Sequence, residues 1–139
     1  MPSNRPLPTV IGPTENALRA LLVQTLAGTE IDSYHSWVVI NALDFAEKTH
    51  AGRDWRTDTA DALKIEPREL DAVLDRLRAS HLVDGDSLTD AGRAELHTAR
   101  SAVAETTSRL VNGLDPDDQE VARRVLDHIR RSAEAMIAA

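Results

Sequence analysis

The stretch between residues 57 and 93 changes periodicity twice, from helix to hairpin and back to helix, and restricts the fold more than any other part of the chain. Thr57 caps a short helical pattern at 58–63, and Pro67 stands at the favoured first position of a helix that reaches about Ser80. That helix carries an apolar stripe with i, i+3, i+4, i+7 spacing: Leu70, Val73, Leu74 and Leu77. Residues 81–88 follow, with apolar ends around a Gly-containing turn, and predict a very tight hairpin.

Longer helical patterns flank this segment on both sides. Upstream, apolar residues with one-face spacing predict a helix over 14–28, and a second helix is expected over 33–45. The polar stretch 47–56 contains a glycine and is interpreted as a loop. Downstream, a long helix is expected over 90–111, and an Asp-Pro-Asp-Asp sequence at 115–118 starts the last helix. Two short helices, a hairpin and flanking helices predict a mainly α, winged helix-turn-helix fold with a very short β-hairpin wing.

Composition excludes several classes of protein. The 139 residues contain no cysteine, which excludes disulfides and thiolate metal sites, and a net charge of −7 is opposite to that of most nucleic-acid binders. No membrane span or secretory signal is recognisable, so a cytoplasmic protein is expected. The five histidines have no metal-ligand spacing, and no catalytic motif is present. We therefore expect no metal, no cofactor and no enzymatic activity.

Four short sequence strings resemble the core of the MarR family of bacterial transcription regulators. In that family a helix-turn-helix precedes a "D-R-L…G-L-V" segment, a wing, and an "L-T-x-A-G" opening of a dimerisation helix. The corresponding strings are Ala62-Leu63-Lys64-Ile65, Val73-Leu74-Asp75-Arg76-Leu77, Leu82-Val83 and Leu88-Thr89-Asp90-Ala91-Gly92-Arg93. The resemblance implies a dimeric regulator, such as a repressor, that binds a pseudo-palindromic double-stranded DNA operator.

The resemblance also divides the chain into regions. Residues 1–13 carry four prolines and are expected to form an extended or disordered arm. Residues 33–89 are expected to form the winged helix-turn-helix DNA-binding lobe, and residues 14–32 and 90–139 the dimerisation helices. The apolar stripes near the two chain ends have too little other apolar sequence to cover them in one small domain. Packing between the subunits of a homodimer is the economical solution.

The helix at 67–80 takes the place of the family's DNA-recognition helix. With its leucine stripe buried, helical geometry directs Arg68, Ala72, Asp75 and Ala79 outward. The residues expected to contact DNA are Arg68, Glu69, Ala72 and Arg76, with the loop residues Arg53 and Arg56. The alternative interpretation is a solvated helix face with i, i+3 and i, i+4 ion pairs.

The hairpin departs from the family pattern. About four residues, 84–87, join its ends; none is basic, although the family's wing usually inserts an arginine into the minor groove. His81 replaces the glycine usual before Leu-Val. A second hypothesis therefore stays open: a degenerate winged-helix dimer with weak or no DNA binding that acts through a ligand or a protein partner.

In the family a small, often phenolic or anionic ligand binds between the dimerisation helices and the DNA-binding lobe. The resemblance implies a small aromatic or anionic effector here. The candidate contacts are Arg19, His35, Trp37, Trp55 and His97. Trp37 has an alternative role in core packing, whereas Trp55, in the predicted polar loop, is interpreted as the cover of a pocket.

Overall fold

The computed structural model describes residues 4–49 and 54–139. These residues form, in order, α1 (Leu7–Leu26), α2 (Tyr34–Thr49), α3 (Trp55–Leu63), α4 (Pro67–Ala79), β1 (Val83–Asp84), β2 (Ser87–Leu88), α5 (Asp90–Val111) and α6 (Pro116–Ala138). The mainly helical winged helix-turn-helix predicted from the sequence is confirmed. The chain divides into two units, one that ends at Thr106 and one from Thr107 to Ala139.

The core of the first unit forms where α2, α3 and α4 pack together. The predicted stripe of α4 is buried, with each of its four side chains at most 2% exposed: Leu70, Val73, Leu74 and Leu77. Helix α2 contributes Val39, Ile40 and Leu43 to the same cluster, and α5 adds Leu96. Burial of a side chain of this size stabilises the fold by about 1.5–3 kcal/mol, so this stripe determines which face of α4 points outward.

The hairpin is as short as the sequence predicted. Val83 pairs with Leu88 and Asp84 with Ser87, so Gly85 and Asp86 alone form the turn. Gly85 has a φ of +61°, in the left-handed region that glycine adopts without strain. His81, just before the hairpin, has a φ of +62°. This conformation is the physical reason why a glycine suits that position.

The base of the hairpin is joined to the first turn of α5. The Thr89 backbone N–H donates to the Leu82 carbonyl (3.0 Å), and its hydroxyl donates to the His81 carbonyl (2.7 Å). The same hydroxyl accepts from the Gly92 N–H (2.9 Å), which caps the helix. A Cβ on Gly92 would overlap the Leu82 carbonyl oxygen. The Leu-Thr-Asp-Ala-Gly string therefore joins the hairpin to the helix.

A buried carboxylate ties α2 to α5. Asp44 is 5% exposed, and its Oδ2 accepts from Arg100 Nη2 (2.9 Å) and lies 2.9 Å from Lys48 Nζ. Arg100 Nε also donates to Asn41 Oδ1 at 2.9 Å. Burial by itself would raise the pKa of Asp44, but the hydrogen bonds and charges of Lys48 and Arg100 outweigh it and hold the pKa below its ordinary value.

The expectation of an extended or disordered arm over residues 1–13 is wrong from Leu7 onward. Helix α1 begins there, seven residues before the predicted start at Thr14, and continues through Pro13. Pro8 lies in the first turn, where a backbone N–H has no acceptor in the helix. Pro13 lies in the interior of the helix, where it removes one backbone hydrogen bond from a helix of 20 residues.

The predicted loop over 47–56 is also wrong at both ends. Helix α2 continues to Thr49, and α3 begins at Trp55. The residue that caps α3 is Asp54, not Thr57: its carboxylate accepts from the Thr57 N–H (3.4 Å) and hydroxyl (2.5 Å). With Asp54 as the cap, the Thr57 N–H has an acceptor in the first turn of the helix. With Thr57 as the cap, that N–H would lie outside the helix.

The second unit contains the helix start that the sequence predicted. Asp115 caps α6, with its carboxylate accepting from the Asp117 N–H at 2.7 Å, and Pro116 is the first helical residue. No residue of α6 is buried within the chain. Its exposed large apolar side chains are Val121, Val125, Leu126, Met136 and Ile137. Within the described ranges, no helix is both long and apolar enough to cross a membrane.

Candidate nucleic-acid interface

Helix α4 has one buried face and one exposed face. The residues expected to point outward are all exposed: Arg68, Ala72, Asp75 and Ala79. Arg76 is exposed as well, and Glu69 accepts from the Glu66 backbone N–H (3.4 Å) as part of a capping box at the helix start. The structure thus brings Arg68, Ala72 and Arg76 to the surface of one helix, whereas the Glu69 carboxylate is engaged in capping.

Arg68 and Arg76 differ from the other arginines of this region. Neither guanidinium forms an ion pair or a side-chain hydrogen bond with any residue in the described ranges. An unpaired, exposed guanidinium has five N–H donors for an external acceptor and loses no internal contact on binding. These two side chains are therefore the strongest donors that α4 presents to phosphates or bases.

Arg56 and Arg78 are engaged by the hairpin instead. Asp86, at the tip of the turn, accepts from Arg56 of α3 and lies 3.3 Å from Arg78 Nη2 of α4. Arg78 also donates to the Gly85 carbonyl (3.0 Å) and pairs with Asp75 (3.0 Å). We call Arg56, Arg78 and Asp86 the hairpin clamp. Arg53, another predicted DNA contact, lies outside the described residues.

The clamp is a feature that sequence reasoning missed. Asp86 is 30 residues from Arg56 and 8 from Arg78, so no local pattern connects the three side chains. The sequence shows that the hairpin is acidic, but it does not show which basic side chains Asp86 contacts. Asp86 neutralises one predicted DNA contact, Arg56, and holds the hairpin tip against both helices of the helix-turn-helix.

The hairpin is also held from α2. The Leu88 backbone N–H of β2 donates to Glu47 at 3.1 Å. No third strand among the described residues pairs with β2, so the Glu47 carboxylate supplies the acceptor that a neighbouring strand would otherwise provide. Arg93 Nη2 lies 3.9 Å from the other Glu47 oxygen, and this carboxylate therefore links α2, β2 and α5. With the hairpin clamp, this contact fixes the short hairpin at both its tip and its base.

Two of the five predicted ligand-binding residues meet at the start of α2. Arg19 lies over the ring of Tyr34, with 4.1 Å between Cζ and the ring centroid, and it pairs with Glu15. The rings of Tyr34 and His35 are 5.9 Å apart. Tyr34, which sequence reasoning did not single out, thus connects Arg19 to His35.

The other three predicted ligand-binding residues lie apart from that group. Trp37 and Trp55 are half-buried and pack against the apolar core, so the interpretation of Trp55 as the cover of a pocket is not supported by its position. Trp55 is the first residue of α3, whereas the sequence predicted that it would lie in a polar loop. His97 is exposed on α5.

A cleft that the sequence did not reveal opens beside the C-terminal end of α4. Its volume is about 550 Å³, and it lies between the α1–α2 connection, the start of α2 and the last turn of α4. The lining residues that carry polar side chains are Thr29, Glu30, Asp32, Ser36, Arg76 and Ser80. Arg76 therefore belongs both to the exposed surface of α4 and to the wall of this cleft.

Comparison with solved structures finds proteins of similar fold. No protein-family model matches the sequence, and no curated protein matches it. The Pseudomonas transcriptional regulator PA3341 superposes with a TM-score of 0.73 and 23% identity, over 94% of this chain and 99% of that one. The Mycobacterium tuberculosis MarR family protein Rv2887 in complex with DNA gives 0.70 and 21%, over 91% and 98%.

The same Mycobacterium tuberculosis protein in complex with salicylic acid gives a TM-score of 0.65 and 21% identity, over 90% of this chain and 98% of that one. At these identities the likeness establishes the fold. The chain has the winged-helix fold of MarR-type regulators along nearly its whole length, and the resemblance inferred from the four sequence strings is confirmed at that level.

Proposed function

We propose that this protein is a MarR-type transcription regulator that binds double-stranded DNA as a homodimer, with α4 of each subunit in the major groove. The observation that carries the proposal is the pair of unpaired guanidiniums, Arg68 and Arg76, on the exposed face of α4. A fold shared with a MarR family protein in complex with DNA supports the same conclusion.

The proposed contacts divide between the two arginines. Arg68 lies in the first turn of α4, the end of a recognition helix that approaches base edges, and it is the candidate for bidentate hydrogen bonds to guanine. Arg76 lies two turns further along and is the candidate for a phosphate contact. The clamped Arg56 contributes less, because Asp86 already satisfies it.

The proposed dimer rests on the apolar surface that the chain leaves uncovered. Every large apolar side chain of α6 named above is at least 38% exposed, and α1 exposes Leu7, Val10, Leu18 and Val23. Exposed large apolar side chains that recur along a helix are typical of subunit interfaces. A two-fold dimer places two copies of α4 for a pseudo-palindromic operator with half-sites about one helical turn apart.

A small effector that releases DNA is the third part of the proposal. The contact between Arg19 and Tyr34, with His35 beside it, provides a cation and two aromatic rings for an aromatic acid, whose carboxylate would replace Glu15 as the partner of Arg19. The salicylic acid in the complex of the M. tuberculosis relative is a ligand of this class. A test is titration of the protein with salicylate, with Arg19→Ala as the variant that weakens binding.

The central experiment selects bound duplexes from a random DNA library and measures affinity for the selected sequence by fluorescence anisotropy. We expect Arg68→Ala to cost about 1–3 kcal/mol and to relax the preference at one position per half-site, and Arg76→Ala to weaken all sequences alike. The matched control is Arg123→Ala, which removes the same charge from α6. Recovery of no preferred sequence at low salt would contradict the proposal.

One observation favours the second hypothesis, a winged-helix dimer without useful DNA affinity. The hairpin clamp leaves no free cation of the described residues at the hairpin tip, although that tip is the part of a winged helix that approaches the minor groove. If the protein dimerises and binds salicylate but selects no duplex, this hypothesis replaces the first.

A further inference from the structure

The cleft beside the end of α4 presents charged groups of both signs in a small space. Glu30 and Asp32 come from the α1–α2 connection, and Arg76 comes from α4. The formal charge of the lining is therefore −1 (two carboxylates and one guanidinium). No ion pair joins Arg76 to Glu30 or Asp32, so neither sign is neutralised within the described part of the chain.

A serine hydroxyl that is open to an external partner lines the same space. Ser36 lines the cleft, and its backbone N–H donates to Ser33 Oγ at 3.0 Å. Its own hydroxyl forms no hydrogen bond with another described residue. No buried side-chain polar atom in the described ranges lacks a partner, so this hydroxyl is in contact with solvent, and a polar molecule in the cleft can replace water there.

The wall that carries the carboxylates is held in place before any ligand arrives. The Thr29 hydroxyl donates to the Leu26 carbonyl (2.9 Å) and accepts from the Ile31 N–H (3.1 Å). The Glu30 backbone N–H donates to Glu95 Oε2 of α5 at 2.9 Å. A connection fixed at both ends loses little conformational entropy when it binds a ligand.

The remaining lining residues decide the size and polarity of the ligand. They are Ala27, Gly28, Leu77 and Ala79, so none of the ten lining residues is aromatic and only Leu77 is a large apolar side chain. A volume of about 550 Å³ is within the range of small-molecule sites. The lining therefore suits a small, polar molecule rather than an aromatic acid.

We propose that this cleft binds a small zwitterion of the α-amino-acid class, with its carboxylate on Arg76 and its ammonium on Glu30 and Asp32. A simple carboxylic acid would leave the carboxylates unpaired in a site of net negative charge, and a simple amine would meet the guanidinium. A zwitterion pairs with both. The C-terminal end of α1, which leads into the connection that carries both carboxylates, adds partial negative charge on the ammonium side.

Occupation of the cleft and DNA binding then compete for one side chain. This step rests on the proposed function, because it requires that Arg76 contacts DNA phosphate. A guanidinium that holds a carboxylate in the cleft is not available to a phosphate, so bound amino acid lowers DNA affinity, and bound DNA lowers amino-acid affinity by the same factor.

The test of binding does not involve DNA. Each of the common L-amino acids is added to the full-length protein at millimolar concentration, and the melting temperature is measured, with butyrate and butylamine as probes that carry one charge each. We expect at least one amino acid to raise the melting temperature by roughly 5 °C or more at about 100 times its Kd. Butyrate and butylamine should give no shift.

Three variants assign the contacts. Arg76→Ala and Asp32→Asn should each weaken binding of the active amino acid at least about tenfold in calorimetry. Arg68→Ala is the matched control: it removes an arginine from the same helix but outside the cleft, and should leave amino-acid affinity unchanged. No shift with any amino acid, an equal shift with butyrate or butylamine, or unchanged binding by Arg76→Ala would overturn the proposal.

DNA binding is measured separately. If the amino acid binds and weakens DNA binding in the wild type but not in Arg76→Ala, both the cleft and the phosphate contact are supported. If it binds through Arg76 and leaves DNA affinity unchanged, the cleft stands, and the assignment of Arg76 to DNA is wrong.

Discussion

Gly92, in the first turn of α5, has no room for a side chain. A Cβ there would overlap the Leu82 carbonyl oxygen and come within 3.2 Å of Leu88 Cδ2. Because the obstacle is backbone, relief requires the hairpin base to move away from the helix. We expect Gly92→Ala to lower the free energy of unfolding by about 1–3 kcal/mol, measured by urea denaturation.

Gly12 provides the matched control. It lies inside α1, and nothing beyond its chain neighbours comes within 4 Å of a Cβ at that position. Gly12→Ala should change the free energy of unfolding by less than about 1 kcal/mol, because the better helix propensity of alanine is opposed by the restriction that Pro13 places on the residue before it. If the two variants changed stability in the same direction and by similar amounts, close packing under Leu82 would not be the reason for the glycine at position 92.

Asp86 controls two arginines at once, which gives a second prediction at the scale of single residues. Asp86→Asn removes the charge that holds Arg56 and Arg78 at the hairpin tip. Arg56 of each subunit then becomes available to phosphate, whereas Arg78 keeps its pair with Asp75. We expect tighter binding to the selected DNA and a slope of log K against log salt that is steeper by about 1–2, since the slope counts the phosphates neutralised.

Asp84→Asn is the control for the Asp86 variant. Asp84 lies on the same hairpin, is exposed, and forms no ion pair with another described residue. Its replacement removes the same charge without releasing an arginine, so the salt slope should stay nearly constant. Equal slopes for the two variants would mean that net charge, and not the hairpin clamp, limits DNA binding.

At the scale of helices, the contact between α2 and α5 depends on one carboxylate. Asp44→Asn leaves the donors of Arg100 and Lys48 without their charged acceptor, and we expect a loss of about 1–3 kcal/mol of stability. Lys48→Ala removes only the more exposed partner and should cost less. Thermal and urea denaturation of the two variants measure the difference.

The pH dependence of that loss follows from the direction of the pKa shift. The pKa of Asp44 is lower in the folded protein than its ordinary value of 3.8. Its ion pairs therefore stabilise the fold fully above that value, and the contribution disappears as pH falls toward the lowered pKa. The stability difference between wild type and Asp44→Asn should be constant near neutral pH and shrink below about pH 4. A difference that shrank above pH 5 would contradict the assignment.

Elements with strong local signals could be predicted from the sequence. The start of α4 at Pro67, the hairpin around Gly85 and the start of α6 at Pro116 each follow from capping residues and turn chemistry. Errors arose where the signals conflict. Prolines at 8 and 13 suggested an arm, yet one is in the first turn and the other removes a single bond from a long helix.

The candidate site was predictable only in part, and for a physical reason. Exposure of Arg68 and Arg76 follows from helical periodicity once the leucine stripe is buried. The engagement of Arg56 by Asp86 joins side chains 30 residues apart and depends on how α3 packs beside the hairpin. Tertiary contacts of this kind leave no local pattern.

At the scale of the whole molecule, the uncovered apolar surface of α6 predicts an obligate dimer. Met136, which is 76% exposed in the single chain, is the test position. Met136→Asp would place an unpaired charge in an apolar interface, at a cost of several kcal/mol. Sedimentation equilibrium should show a dimer for the wild type and a shift toward monomer for the variant.

Ala72→Asp is the control for added charge. Ala72 is exposed on α4, outside the helices proposed to form the dimer. This variant should sediment as the wild type does. A wild-type protein that stays folded and monomeric at micromolar concentration would show that α6 is not a subunit interface.

The joint between the hairpin and α5 has a mechanical consequence. Thr89 bonds to His81 and Leu82, and Gly92 fits directly beneath Leu82, so the helix cannot tilt at this end without carrying the hairpin with it. From Asp90 to Thr106, the part of α5 in the first unit, the helix is about 25 Å long. A displacement of about 3 Å at Thr106 therefore corresponds to a rotation of about 7° of the hairpin.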